Sequence, residues 1–364
     1  MNKTLKYIVL LAIACFVGKA SAQELKSEVF SILNLDYPGL EKVKDACNNG
    51  NMEDATRFLL DYYRMRKGVV NPAVDLKNIS VSKTDQQWAD DALKHTFFAH
   101  KGYLPAYNYG EDINWQYWPV KDNELRWQLH RHKWFTPMGK VYQITKDEKY
   151  AKEWIYQYLD WIKKNPLKQI SLDAYEIYDL EGVAGIAENV RFAWRPLETS
   201  HRLQDQINQF TLFVESPSFT PSFLTEFLVN YRRHADHILH NYSKEGNHLL
   251  FEAQRMLYAG AFFPEFKEAA TWRKSGIDIL NREIKKQIYD DGGQYELDLG
   301  YHVGCIEIFN KALLMADANG FRNEFPESYV ATIKKMIDFS MNLRFPDYSS
   351  PCFSDARQGS RQAE

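Results

Sequence analysis

The chain has 364 residues, enough for one large domain or two ordinary ones, and an apolar content of 45% can fill a full core. The formal net charge of −3 argues against nucleic acid as the main partner, so an anionic ligand would need a local basic cleft. Aromatic residues reach 15% of the chain, which core filling explains and which contacts with sugar rings would also use.

Residues 1–22 read as a secretory signal peptide. Lys3 and Lys6 form the positive start, 7–17 the apolar centre, and Ala20, Ser21 and Ala22 the small-residue cleavage site. The apolar run is too short to span a bilayer, and no other stretch qualifies, so the expectation is a periplasmic or secreted protein without a membrane partner. Cleavage would remove three lysines and no acid, taking the charge from −3 to −6. It would leave Cys47, Cys305 and Cys352, an odd and sparse set that predicts buried free thiols.

Helical periodicity then runs from about 40 to 344. Residues 40–66 read as a helix pair broken at 48–51. Thr84 to Gln87 looks like a capping box that opens the next helix. The stretch 100–122 is long, irregular and aromatic, which suggests a segment packed on the fold or lining a site. Further helices are expected over 123–144, 148–164, 195–210, from Pro221, and over 247–261, 270–288, 303–318 and 329–343, with a surface excursion at 168–187. About ten helices with almost no strand signal and no fixed repeat predict an all-α bundle or toroid. The end, 346–364, reads as a linker, as if a further domain were to follow.

Two polar turns interrupt the helices. One is Glu245-Gly246-Asn247-His248. The other, 289–302, reads YDDGGQYELDLGYH, with Gly300 as a second break before Tyr301 and His302. Polar side chains held between rigid helices suit chemistry, and both helix starts are expected to face one cleft. Asn247 fits an ordinary N-cap as well as a ligand contact, His248 a half-buried histidine, and Tyr301 a packed aromatic. Gln294 and Glu296 suit loop bracing or sugar hydroxyls; Asp290 and Asp291 suit turns. Arg126, Arg131, His132, Lys133, Arg191, Arg195 and Arg202 suit solvated faces or ion pairs, and any of them would also suit a carboxylate or sulfate. His234, His237 and His240 share a helix face and are read as a polar surface stripe with Arg232 and Arg233 rather than a metal site.

The segments NYGEDINWQYWP (108–119), ENVRFAWRPLE (188–198), EGNHLLFEAQR (245–255), FFPEF (262–266) and DGGQYELDLGYH (291–302) together resemble the heparinase II/III family of polysaccharide lyases. The likeness runs through nearly the whole chain and is nearest to members acting on heparan sulfate. It implies an N-terminal (α/α) toroid over 23–345, an incomplete barrel of antiparallel helix pairs. A C-terminal β-sandwich, which in the family carries a catalytic histidine and a metal site, would lie outside this chain, so no cofactor or metal is expected within it. The implied activity is β-elimination on a uronate-containing, heparan sulfate-like glycosaminoglycan. Asn247 matches the family position that grips the uronate carboxylate, and Tyr301 the tyrosine that moves protons. His248, Arg195, Gln294, Glu296, His302 and Trp115 are the candidate substrate contacts. Two alternatives stay open: a glycoside hydrolase on an (α/α) barrel, with two of Asp290, Asp291 and Glu296 as its acid pair, and a glycan-binding fragment without turnover.

Overall fold

Capping chemistry sets several of the helix starts. Thr220 accepts the Phe223 backbone N–H at 3.2 Å, and Pro221 occupies the first helical position, where no N–H is needed. Ser82 and Asp85 exchange side chain and backbone bonds at 3.0 Å each, so the capping box forms two residues earlier than the 84–87 pattern suggests. The structure is a computed structural model that describes residues 28–97, 106–120, 122–167 and 191–354. The signal-peptide reading, the 168–187 excursion, part of the 100–122 stretch and the tail beyond 354 lie outside the described residues.

Twelve α-helices lie wholly within the described residues, with further helical residues at 28–32 and 191–192. They are α1 (Glu41–Asn48), α2 (Met52–Met65), α3 (Lys83–Ala92), α4 (Asn123–Leu129), α5 (Phe135–Thr145), α6 (Glu148–Lys164), α7 (Pro196–Phe213), α8 (Pro221–His240), α9 (Gly246–Phe262), α10 (Ala269–Gln287), α11 (Leu299–Ala318) and α12 (Glu327–Asn342). Two short antiparallel strands, β1 (Thr96–Phe97) and β2 (Tyr107–Asn108), are the only sheet described. No helix among the described residues is long and apolar enough to cross a membrane.

From α5 onward the helices alternate between two layers. Helices α5, α7, α9 and α11 pack side by side as an inner row, and α6, α8, α10 and α12 lie outside it. Two packed layers of alternating helices make the all-α toroid arrangement expected from the sequence. The pair α1 and α2 leans on α8, and the segment before it is stitched to the turn after α9 by Asn34 N–H to Glu265 O (2.8 Å) and Lys267 N–H to Ile32 O (3.1 Å). That turn holds a buried ion pair. Arg66 meets Glu265 at 2.9 Å, also donates to the Phe262 carbonyl at 2.8 Å, and Tyr62 donates to Glu265 at 2.8 Å. The carboxylate is fully buried, so removing Arg66 alone would strand a charge, at about 3–5 kcal/mol.

Aromatic residues fill the space between layers. Trp154 stacks on Phe213 at 4.4 Å, and Phe210, Phe219, Phe223, Phe227, Tyr231 and Phe263 continue the cluster. This accounts for much of the aromatic content without invoking sugars. Helices α9 and α10 touch backbone to backbone at two glycines. A methyl on Gly260 would stand 2.1 Å from the Ala269 carbonyl oxygen, and one on Gly276 would stand 2.3 Å from that of Ala253.

Three expectations need correcting. His234 and His237 are core residues, not a surface stripe: His234 accepts from Arg202 Nε at 3.0 Å and His237 bonds the Trp194 carbonyl at 2.8 Å. Of the three free thiols only Cys305 is buried; Cys47 is partly covered and Cys352 exposed. Helix α11 opens at Leu299, capped by Asp298, so Gly300 lies inside its first turn and does not break it.

Candidate functional site at the inner helix starts

Alternating helix direction brings the first turns of the inner helices to one end of the toroid. Just before α5, Arg131 Nη2 donates at 2.8 Å to Glu198 in the first turn of α7. Arg195, at the N-cap position of α7, lies 3.6 Å from the other Glu198 oxygen, with its guanidinium 4.1 Å over the Trp127 ring. His248, in the first turn of α9, feels the charges of Arg195, Glu198, Arg131 and Glu124. The loop leading to α11 docks beside it: the Tyr295 N–H donates to the Gln287 carbonyl at 2.9 Å, and Lys286 pairs with Glu245 at 3.0 Å. The two polar turns singled out in the sequence are therefore neighbours. Helix starts carry partial positive charge, so their convergence favours an anion.

Local backbone chemistry presents Asn247. Gly246 opens α9 at φ +78°, a conformation that costs other residues, and Asn247 follows it directly, half-buried. Asn247 thus belongs to the first turn and not to the N-cap, which is Glu245. Burial, with Arg195 next, pushes the His248 imidazole down to about 4, so it is neutral near pH 7. One turn on, Glu252 is fully buried and accepts from the Ser243 N–H at 2.7 Å and Oγ at 2.8 Å. Burial pushes this carboxyl up to about 8, so it is mostly protonated at pH 7.

Tyr301 stands in the first turn of α11, 39% exposed, and its backbone N–H donates to Asp298 at 2.9 Å. Gln294 is buried and braces the loop: its Oε1 accepts the Glu296 N–H at 2.9 Å and its Nε2 donates to Glu296 at 3.2 Å. Asp291 accepts the Gly293 N–H at 2.9 Å, which makes it a turn former.

Two candidates sit elsewhere. His302 is buried, bonded through Nε2 to the Met336 carbonyl of α12 at 2.8 Å, and packed on Phe339, so its ring faces the outer layer. Trp115 is buried in a stack with Phe97 and Trp134 and donates to Asp160 at 2.8 Å. The helical period explains His302: one residue after an exposed Tyr301, the next side chain turns about 100° toward the neighbouring layer.

Four ionisable residues at this end were not read from the sequence as candidates: Glu198, Glu252, Asp205 and Arg255. Three of them were legible in principle. Glu198 ends the 188–198 segment, and Glu252 and Arg255 recur one and two turns after His248 on the same face of α9. Arg131, Lys133, Arg195, Arg255 and Lys286 stand here with Glu124, Glu198, Asp205, Glu245 and Glu296, so basic and acidic groups balance at this end of a chain whose net charge is negative. Among the described residues no group of three or more His, Cys, Asp or Glu is arranged to hold a metal ion.

Residues 29–364 match the family model for the heparinase II/III N-terminus. The chain belongs to the heparinase II/III family. It is 68% identical over 357 residues to a heparin-sulfate lyase of Bacteroides stercoris, covering 98% of this chain and 54% of that protein. It is 47% identical to a heparin-sulfate lyase of Pedobacter heparinus, covering 96% of this chain and 52% of the relative. Among solved structures, a heparinase III with methylated lysines superposes with a TM-score of 0.81 at 69% identity, over 92% of this chain and 52% of the other. The heparan sulfate lyase HepC of Pedobacter heparinus gives 0.74 at 47% identity, over 90% and 50%. The chain thus spans about half the length of the heparinase II/III relatives it matches.

Proposed function

We propose that this chain is the toroid part of an exported lyase that cleaves heparan sulfate-like glycosaminoglycan by β-elimination. The observation that carries the reading is the gathering of inner helix starts, with Asn247 and Tyr301 in the first turns of α9 and α11 and the guanidinium groups of Arg131 and Arg195 beside them. The uronate carboxylate lies against the start of α9, where the Asn247 amide donates to it and withdraws charge. The C5–H bond then breaks, its electron pair forms the C4–C5 double bond, the C4–O bond breaks, and the glycosidic oxygen takes a proton. The Tyr301 hydroxyl serves this proton traffic as base, acid or both, and a neutral His248 borders the site without adding charge. An amide and a phenol suit this work because carboxylates would repel the substrate.

The test is the ultraviolet absorbance of an unsaturated uronate released from heparan sulfate by a chain extended to the full length of its relatives. New reducing ends without that absorbance would replace the lyase by a hydrolase. The 364-residue chain alone should bind the polymer weakly and turn it over poorly, because half of the relatives' length lies beyond it. Export belongs to the same proposal: protein recovered outside the cytoplasm should begin at Gln23, as read by intact mass.

A further inference from the structure

Below the mouth, the facing sides of α7 and α9 hold a second layer of polar groups. Asp205 lies two turns after Glu198 on α7, and Arg255 lies two turns after His248 on α9. His201 stands between, and its Nδ1 is 3.3 Å from Arg255 Nη2. Arg255 leaves only 5% of its surface open, and its Nε and Nη1 meet no acceptor. No ion pair joins it to Asp205, although each feels the other's charge, and its guanidinium packs 4.5 Å over the Phe251 ring. His201 and Asp205 keep part of their surface open, so the layer is reachable by way of α7. A buried guanidinium with two unmet donors is short of an acceptor, and sulfate or carboxylate is the group its planar fork fits.

We propose that Arg255, with His201 and Lys133 beside it, is an anion subsite for a sulfate or carboxylate of a sugar residue that is not the one being cleaved. This rests on the glycan reading above. Burial of Arg255 between helices would make the contact selective, because only a group that reaches past the mouth and turns the side chain toward itself can meet those donors. Asp205 opposes an incoming anion and tempers the affinity of the subsite.

The test measures calorimetric binding of two defined tetrasaccharides, one N- and O-sulfated and one unsulfated, to this chain, its variants and Asn247→Ala. Arg255→Gln should weaken at least one of the two ligands about tenfold. Loss confined to the sulfated ligand assigns a sulfate, and an equal loss on both assigns a carboxylate. Asp205→Asn should act in the opposite direction, tightening the same ligand several-fold, a response that mere damage to the fold would not produce. Binding unchanged in both variants, with wild-type binding intact and weakened by Asn247→Ala, overturns the subsite and leaves the glycan site standing. Absence of wild-type binding to either ligand overturns the subsite, and the lyase reading then stands or falls on the ultraviolet test of the extended chain.

Discussion

Replacing Glu252 by glutamine should flatten the alkaline side of the stability profile. The carboxyl is fully buried between α9 and the turn that precedes it, and burial holds its pKa at about 8. In the unfolded chain it is an ordinary glutamate titrating near about 4.3. Between those values the folded protein keeps a proton that the unfolded chain has released. The unfolded state then binds fewer protons, and stability falls as pH rises, until it levels off above the folded pKa. For a folded pKa of about 8 the loss is about 1.4 kcal/mol between pH 7 and 9, and about 4 kcal/mol from pH 5. A glutamine in its place has no such titration, and its amide can donate to Ser243 Oγ as the protonated acid would. The buried histidines, all pushed down chiefly by burial, act in the other direction and only below about pH 6.5, so the window from pH 7 to 9 isolates Glu252. Urea unfolding of both proteins at pH 5, 7 and 9 gives the answer as a difference, in which thiols and phenols common to both cancel. The variant should gain on wild type as pH rises. A gap that stays constant across that range would mean that Glu252 does not carry a proton in the folded state. The same proton bears on the site: an ionised Glu252 one turn from His248 adds negative charge where a uronate is proposed to bind, so Glu252→Gln should also hold substrate affinity to higher pH.

Other outcomes follow from the same geometry. In a chain of the relatives' full length, Tyr301→Phe should lower kcat by roughly two to four orders of magnitude with little change in affinity or stability, and near-normal turnover would remove the phenol from the mechanism. Asn247→Ala should lower kcat and also raise KM, because the amide is proposed to hold the carboxylate in both ground and transition states; an unchanged KM would place its action in the transition state alone. Gly276→Ala forces a methyl to 2.3 Å from a backbone oxygen of α9, so α10 must move and the protein should lose about 1–3 kcal/mol in urea unfolding; full stability would mean the two helices are less closely held.

The fold was legible because it is written in local rules. Apolar period, the Thr220-Pro221 start and the 148–164 helix follow from side chains a few residues apart, and all appear in the structure. Errors of one to four residues arise where capping groups compete: Ser82 takes the capping box from Thr84, and Asp298 opens α11 ahead of Gly300. The alternation of inner and outer helices is a tertiary fact. It rests on backbone contacts such as those at Gly260 and Gly276, which in sequence look like isolated weak points in two helices.

The site divides along the same line. The turn around Gly246 and the loop before α11 could be found because glycine and polar residues interrupt an apolar rhythm, a signal that is local. Facing direction was not local. Tyr301 and His302 are adjacent in sequence yet one is exposed and the other bonds the outer helix, and Trp115 shares its segment's polar company while its indole is committed to Asp160. Glu198 and Glu252 were passed over because a glutamate in a helix is usually a solvated residue. What sets them apart is burial against partners far along the chain or across a turn, Arg131 for one and Ser243 for the other. An inner helix turns only about one side chain per turn toward the end of the toroid. The choice of that side chain is fixed by the register of the helix against its two inner neighbours, and a single residue's slip in that register would replace Tyr301 at the mouth by a residue of different chemistry.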